Sequence, residues 1–332
     1  MKKQPVVSLR DVLERADKAA KAGESAGAAV YATGFHPLDT YLGGGLRSGE
    51  LALLGGPQGL GKTTFALQIA RNAALAGNDV VYFSFEHDEV TVMTRLVALE
   101  AGLREGADAV SLRTVRLAVD TSDLSPDGLA GRLAGPGGGA DAVKAVGEYG
   151  DRFLIHRSDG KHTSADAIRE VVAGYAKGGD NGPLVVVDYI QKVNAPQQDE
   201  NERTTVVVEA LKDLALELDV PVLAIVAADK EGLATRGRLR VFHLRGSSAL
   251  AYEADVVLML NDKYDVVARH HLVYDVANAE RFRGWVVVTI EKNRSGLDRI
   301  DLEFKKVFEQ GRFDTEGSTV TEQLTDERVY TE

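Results

Sequence analysis

Cysteine is missing from all 332 residues. Its absence excludes a disulfide framework, a Cys-ligated zinc, an iron–sulfur cluster and a thiol nucleophile. An excess of positive charge is missing as well. Lys and Arg number 39 against 50 Asp and Glu, a formal charge of -11. The chain is no polycation, so any contact with nucleic acid must come from a local basic surface. Long hydrophobic runs are lacking too. Runs such as 220–228 reach only nine residues, and a membrane span needs about 20. Two lysines lead the chain, but Arg10 and Asp11 interrupt the apolar stretch a signal peptide needs. With no lipidation signal either, a cytoplasmic protein without membrane contact is expected. There is no G-x-S-x-G hydrolase elbow, and the adjacent His270 and His271 are not a metal-site pattern.

Hydrophobic residues make up 44% and charged residues 27%, enough apolar surface for a large core and too much for disorder. Three regions are expected: a helix and linker over 1–30, one large domain over 31–313, and an acidic tail over 314–332. Ser8 can cap a helix that carries Leu9, Val12, Leu13 and Ala16 on one face. That face must lie on its own domain or on a neighbouring subunit. The following KAGESAGAA reads as a linker. From Thr33 onward, strand, turn and helix alternate. Strands are expected at 51–55, 80–85, 153–156, 184–188, 220–226, 256–260, 285–291 and 300–306. Helices are expected at 62–75, 90–101, 164–175 and 204–218. Continuous Val/Ile/Leu strands separated by amphipathic helices predict an α/β fold, a mostly parallel sheet covered on both faces. Residues 103–150 are expected to be loosely packed helices, 262–284 a hairpin or functional loop, and 314–332 a solvated tail or edge.

Gly56-Pro57-Gln58-Gly59-Leu60-Gly61-Lys62-Thr63 matches G-x4-G-K-[ST], with Thr64 next, between a predicted strand and a predicted helix. Glycines let backbone N–H groups close around a phosphate, and the helix N-terminus adds a favourable field. Lys62 is expected on the β- and γ-phosphates of a nucleotide such as ATP, and Thr63 on Mg²⁺. Asp188 ends the strand LVVVD, where a carboxylate can support the metal. Glu86 ends VVYFSFE, a strand expected beside the phosphate-loop strand, and can act as a base towards water. Lys292 and Arg294 are separated by one residue after another strand, so they share a side and can grip phosphoryl oxygens. Lys230, Arg236, Arg238, Arg240 and Arg245 make a local basic stretch with glycines at 232, 237 and 246. It suits contact with a single-strand phosphate backbone.

These residues resemble RecA-fold ATPases. Thr33-Gly34-Phe35, Leu38-Asp39 and Gly43-Gly44-Gly45-Leu46 lead into the phosphate loop as in the DnaB, RadA and KaiC types. Phe83-Ser84-Phe85-Glu86, Val187-Asp188-Tyr189-Ile190-Gln191 and Glu291-Lys292-Asn293-Arg294-Ser295-Gly296 favour the DnaB type, and the resemblance spans about 8–313. It implies a RecA-like P-loop ATPase that works as a ring, expected as a hexamer, on single-stranded DNA. Glu86 would be the catalytic base, and Lys292 and Arg294 would reach the nucleotide of the next subunit. No helicase loader or primase is indicated. Ala227 stands where the resemblance places a γ-phosphate-sensing Gln, and 262–284 has no counterpart. A RadA- or KaiC-like regulatory ATPase, switching partners without unwinding DNA, is the alternative.

Overall fold

Leu184–Asp188 is buried at every position, as a strand covered on both faces must be. It sits inside a wide sheet in a computed structural model that describes residues 6–176, 181–228, 237–244, 247–268, 270–273 and 276–326. The strands are β1 (Val30–Tyr31), β2 (Leu46–Arg47), β3 (Leu51–Gly55), β4 (Val80–Ser84), β5 (Phe153–Arg157) and β6 (Leu184–Asp188). They continue with β7 (Val222–Ile225), β8 (Val256–Asp262), β9 (Trp285–Asn293), β10 (Ile300–Val307), β11 (Arg312–Phe313) and β12 (Ser318–Thr319). The longer helices are α1 (Leu9–Ala22), α2 (His36–Tyr41), α3 (Lys62–Leu75), α4 (Glu89–Glu105), α5 (Leu112–Asp120), α6 (Gly128–Arg132) and α7 (Gly139–Tyr149). After them come α8 (Ala165–Tyr175), α9 (Glu200–Leu218), α10 (Ser247–Glu253), α11 (Lys263–Val266), α12 (His270–Val273) and α13 (Val276–Arg283).

The main sheet runs β11-β10-β9-β8-β3-β7-β6-β4-β5, with β12 also on β10. Strands β8, β3, β7, β6, β4 and β5 are mutually parallel. Strand β9 is antiparallel to β8; β10 is antiparallel to β9, the β9–β10 connection being too short for a crossover helix. The architecture is therefore a RecA-like α/β sheet, mostly parallel, with helices on both faces. The expected neighbour relation of the Glu86 strand is corrected: β4 lies between β5 and β6, with β7 and β6 between it and β3. Glu86 still reaches the phosphate-loop edge, because all parallel strands end on the same side.

Each face has its own core. On one, Phe65 of α3 stacks on Phe35 at 4.1 Å and meets Phe304 and Phe313 edge-on. On the other, α8 and α9 bring Ile168, Val208 and Leu211 against the odd-numbered residues of β3 and β6. The TGF…LD signature is a clasp. The Asp39 carboxylate accepts from Thr33 N at 2.8 Å, Thr33 Oγ1 at 2.6 Å and Gly34 N at 2.9 Å, fixing the turn that enters α2.

Two segments differ from their sequence expectation, and a third takes one of its two expected forms. Residues 103–150 are not loose: α5, α6 and α7 close on α4 around Val97, Val115, Leu133 and Ala142. The 262–284 stretch is not a hairpin but carries α11, α12 and α13 in succession, each too short to show helical periodicity. Of the two forms expected for the acidic end, tail or edge, residues 314–326 take the edge. Strand β12 pairs with β10, Leu324 bridges Val267, and Glu322 accepts from Lys263 Nζ at 2.8 Å. Lys263 is buried, also donates to Glu303, and lies over the Phe282 ring at 4.7 Å. By contrast α1, with a Ser8–Asp11 capping box and a left-handed Gly23 at its end, buries no residue. Among the described residues no helix is long and apolar enough to cross a membrane.

Lys263→Met leaves Glu303 and Glu322 without their shared cation. Breaking a buried pair this way costs about 3–5 kcal/mol. A lower denaturation midpoint and faster proteolysis within 314–326 are expected, and an unchanged midpoint would show that this pair does not hold the segment. Burial is the largest influence on Glu322 and raises its pKa, but the Lys263 bond and charge, a backbone hydrogen bond and the Arg281 charge together leave the group below its ordinary value of 4.5. Its contribution is thus complete above that value and is lost as pH falls through the depressed one.

Candidate functional site

Strand β3 ends at Gly55, and the chain turns through Gly56–Gly61 into α3. Gly61 has φ +87°, and a Cβ there would lie 2.9 Å from the rings of Phe308 and Phe313. Gly56 has φ +146°, and a Cβ would meet the Leu260 carbonyl at 2.7 Å. The loop is thus confined between β8 and the segment after β10. Leu60 is buried in the core, and Gln58, Gly59, Gly61, Lys62, Thr63 and Thr64 line a cleft of ≈620 Å³. That volume is in the range of small-molecule sites. Lys62 Nζ donates to the carbonyls of Gly56 at 2.8 Å and Pro57 at 2.9 Å.

Asp188 and Glu86 enter the same cleft from the ends of β6 and β4. Asp188 is buried and accepts from the Tyr82 hydroxyl at 2.8 Å. Burial pushes its carboxyl up to about 6, and the like charge of Glu86 adds to the rise. Hydrogen bonds from Tyr82 and Thr63, and the Lys62 charge, oppose it. Burial likewise pushes the Lys62 ammonium below its ordinary value, against the pull of Asp188 and Glu86. Glu86 itself is exposed to solvent in the cleft, where a carboxylate can orient water.

Among the described residues no group of three or more His, Cys, Asp or Glu is arranged to hold a metal. The Thr63 hydroxyl and the Asp188 carboxylate are hydrogen-bonded oxygens beside the phosphate loop. That small, hard donor set fits Mg²⁺, which keeps waters and takes phosphate oxygens as its other ligands.

Four neighbours were not legible as site residues. Arg95, one of the α4 residues facing the cleft, has a buried Nε without a hydrogen-bond partner among the described residues. Burial lowers its pKa, opposed by Tyr82, Asp188 and Glu86. Phe308 and Leu112 form an apolar end suited to a nucleobase. Gln191 brackets the Ala227 backbone, accepting from its N–H at 3.2 Å. The Arg95 position carried one signal, an arginine inside the helix that follows the Glu86 strand. The others depend on contacts distant in sequence.

The cation pair lies elsewhere. Lys292 Nζ donates to the carbonyls of Ala251 at 2.7 Å and Tyr252 at 3.2 Å. Arg294 donates to the same Tyr252 carbonyl and to Asp255 Oδ1 at 3.2 Å. Neither lines the cleft. Of the basic stretch, Lys230, Arg236 and Arg245 lie outside the described residues. Arg238 and Arg240 are corrected. Arg238 is buried and bound to Asp301 and Thr289, and Arg240 pairs with Glu291 and Asp326, so carboxylates already occupy both guanidinium groups.

Comparison with known proteins agrees with this geometry. The replicative DNA helicase DnaB of Haemophilus influenzae is 28% identical over 313 residues, covering 92% of this chain and 59% of the relative. The chain thus spans about three fifths of that protein's length. The DNA repair protein RadA of Campylobacter jejuni is 45% identical over 71 residues, 21% of this chain and 16% of the relative. A solved ATPase domain superimposes with a TM-score of 0.72 at 20% identity, over 93% of this chain and 99% of that one. The family profile described as "AAA domain" matches residues 24–232. With its phosphate loop, strand-end carboxylates and RecA-like sheet, the chain belongs to the AAA domain family as a P-loop ATPase, and over most of its length it is similar to DnaB-type proteins.

Proposed function

We propose that the chain is an ATP-driven, DnaB-like translocase that works on single-stranded DNA as a ring, expected as a hexamer. The observation that carries this reading is a separation. Lys62, Thr63, Asp188 and Glu86 share one cleft, while Lys292 and Arg294 gather at the carbonyl of Tyr252, outside it. A site divided in this way is completed by a second copy. The helix α1, which buries nothing in its own chain, supports the same reading by needing a surface to cover it.

In this reading Lys62 leaves the loop carbonyls for the β- and γ-phosphates of ATP. Thr63 and Asp188 would hold Mg²⁺, which would supply positive charge to offset that of the phosphates. Glu86 accepts the proton of the attacking water, and the neighbour's Lys292 and Arg294 stabilise the charge that develops on the transferred group. The DNA contact narrows to Lys230, Arg236 and Arg245. A regulatory ATPase of RadA habit is the second reading. The RadA match and the missing side chain at Ala227 favour it, and DNA-stimulated turnover separates the two.

Lys62→Ala is expected to lose ATP affinity and turnover together. Glu86→Gln should keep affinity and lose turnover by about 10²–10⁴-fold. Arg294→Ala should bind ATP and hydrolyse it on the order of 10³–10⁵-fold more slowly. Mixing Arg294→Ala with Lys62→Ala protein should restore activity in steady-state assays. No restoration under subunit exchange, or a monomer by mass with ATP present, would sink the shared site.

The metal site carries a pH dependence. Asp188 ionises near pH 6, and only its ionised form attracts a cation. Mg²⁺-dependent nucleotide binding should therefore weaken about tenfold per pH unit below 6. Nucleotide binding without Mg²⁺ should lack that acid limb. Equal slopes in both titrations would remove Asp188 from the metal site.

Oligonucleotide binding should fall steeply with salt and show little sequence preference. Arg236→Ala should flatten the salt slope. Arg238→Ala should instead lower thermal stability, because Arg238 is committed to Asp301. A flattened slope with unchanged stability in Arg238→Ala would return that residue to the DNA surface.

A further inference from the structure

Strand β9 contains an irregularity whose position matters. Its register against β8 is one-to-one from Asp262↔Val286 to Leu258↔Ile290, and then it skips. Val257 faces Lys292 and Val256 faces Asn293, so Glu291 is the extra residue of a β-bulge. Side chains alternate between faces along a strand, so one inserted residue exchanges the faces of everything that follows. Before the bulge, Val286, Val288 and Ile290 point to the core that holds Phe65, together with Leu258 and Leu260. After it, Asn293 takes over that face and donates to the Tyr41 carbonyl of α2 at 3.0 Å. Lys292 shares the opposite face with Val257, and it is there that Lys292 and Arg294 meet the carbonyl of Tyr252 in α10. In unbroken alternation Lys292 would follow Ile290 into the aromatic core.

A bulge residue has no ladder partner of its own, and Glu291 is a carboxylate with only 10% of its side chain exposed. Its partner is Arg240, whose Nη1 donates to Glu291 Oε1 at 2.8 Å. Arg240 is itself held on a fixed base. Asn261 brackets the preceding residue, accepting from Leu239 N at 2.7 Å and donating to its carbonyl at 3.0 Å. Arg240 N donates to His243 Nδ1 at 3.0 Å, and its Nε and Nη2 bind Asp326 Oδ1 at 3.0 and 2.8 Å. The guanidinium therefore spans from the C-terminal segment to the bulge.

We infer that Arg240 and Glu291 are positioning residues for Lys292 and Arg294: their ion pair pins the bulge that turns both cations onto the α10 face. This rests on the reading that Lys292 and Arg294 serve a neighbour's nucleotide. Removing the pin leaves Glu291 buried without its cation and one residue from Lys292. The bulge can then slip, and the two cations lose their common direction without any change at the phosphate loop of the same subunit.

The test uses the assembled protein with ATP. Arg240→Ala and Glu291→Gln are each expected to lower kcat by about tenfold or more while KM changes less than twofold, the split of a group acting only on the transition state. Arg240→Lys should recover part of the loss. Mixing Arg240→Ala with Lys62→Ala protein should restore turnover, as for Arg294→Ala. A general structural defect would not be complemented in that way. Circular dichroism and thermal melting establish that each variant folds, and if Arg240→Ala does not, the isosteric Glu291→Gln carries the test. Arg294→Ala is the reference. If it turns over like wild type, the shared-site reading fails and takes this inference with it. If Arg294→Ala is impaired but folded Arg240→Ala and Glu291→Gln match wild type, or mixing does not restore them, the pin alone is refuted.

Discussion

The hydrogen bond from the Tyr82 hydroxyl to the Asp188 carboxylate, 2.8 Å long and out of contact with water, sets the terms for the sheet edge around it. A carboxylate buried to that degree must find donors. Tyr82 supplies one from the adjacent strand β4, and Thr63 supplies another from the first turn of α3. The three residues lie on three different elements, so the bonds fix the ends of β4 and β6 against the phosphate loop. Glu86 follows Tyr82 by four residues and inherits its place from that strand end. The aromatic cluster of Phe35, Phe65, Phe304 and Phe313 seats α3 from below, and Phe308 limits the loop from the side.

Much of this was legible in the chain and some was not, for identifiable reasons. The phosphate loop reads directly, because its chemistry needs glycines, a lysine and a hydroxyl at fixed spacing. Continuous Val/Ile/Leu runs revealed the parallel strands to within a residue or two. Their order was not readable. Which strand lies beside β3 depends on where each crossover lands, and the 80–85 strand lands two places further out than expected. The short helices α11 to α13 escaped because a helix of one or two turns shows no period. The acidic end looked solvated because its cationic partner, Lys263, lies 59 residues from Glu322.

The basic stretch shows the limit most clearly. Charge counted along the chain reports how many cations are near one another, not how many are free. Arg238 and Arg240 find Thr289, Glu291, Asp301 and Asp326, between 51 and 86 residues away. Two of the five cations of that stretch are neutralised by the fold. In a chain of net charge -11, such pairing also keeps arginines from collecting carboxylates on other molecules. The bulge at Glu291 was equally hidden, since a strand that begins as a continuous apolar run shows no alternation to break, and only the partner strand reveals the skipped position.

The capped helix α1 and the short stretch behind it impose a leash. Between Gly23 at the helix end and Val30 at β1 lie only a few small residues, and a fully extended chain spans at most ~3.3–3.6 Å per residue. The end of α1 nearest β1 must therefore lie within roughly 25 Å of it. Within that radius its local concentration is on the order of millimolar. A contact too weak to hold separate chains together would still be occupied once two copies touch at any other point. The grip of α1 would then be felt as a slow loss of subunits from an assembly already made, and hardly at all in the rate at which copies first meet.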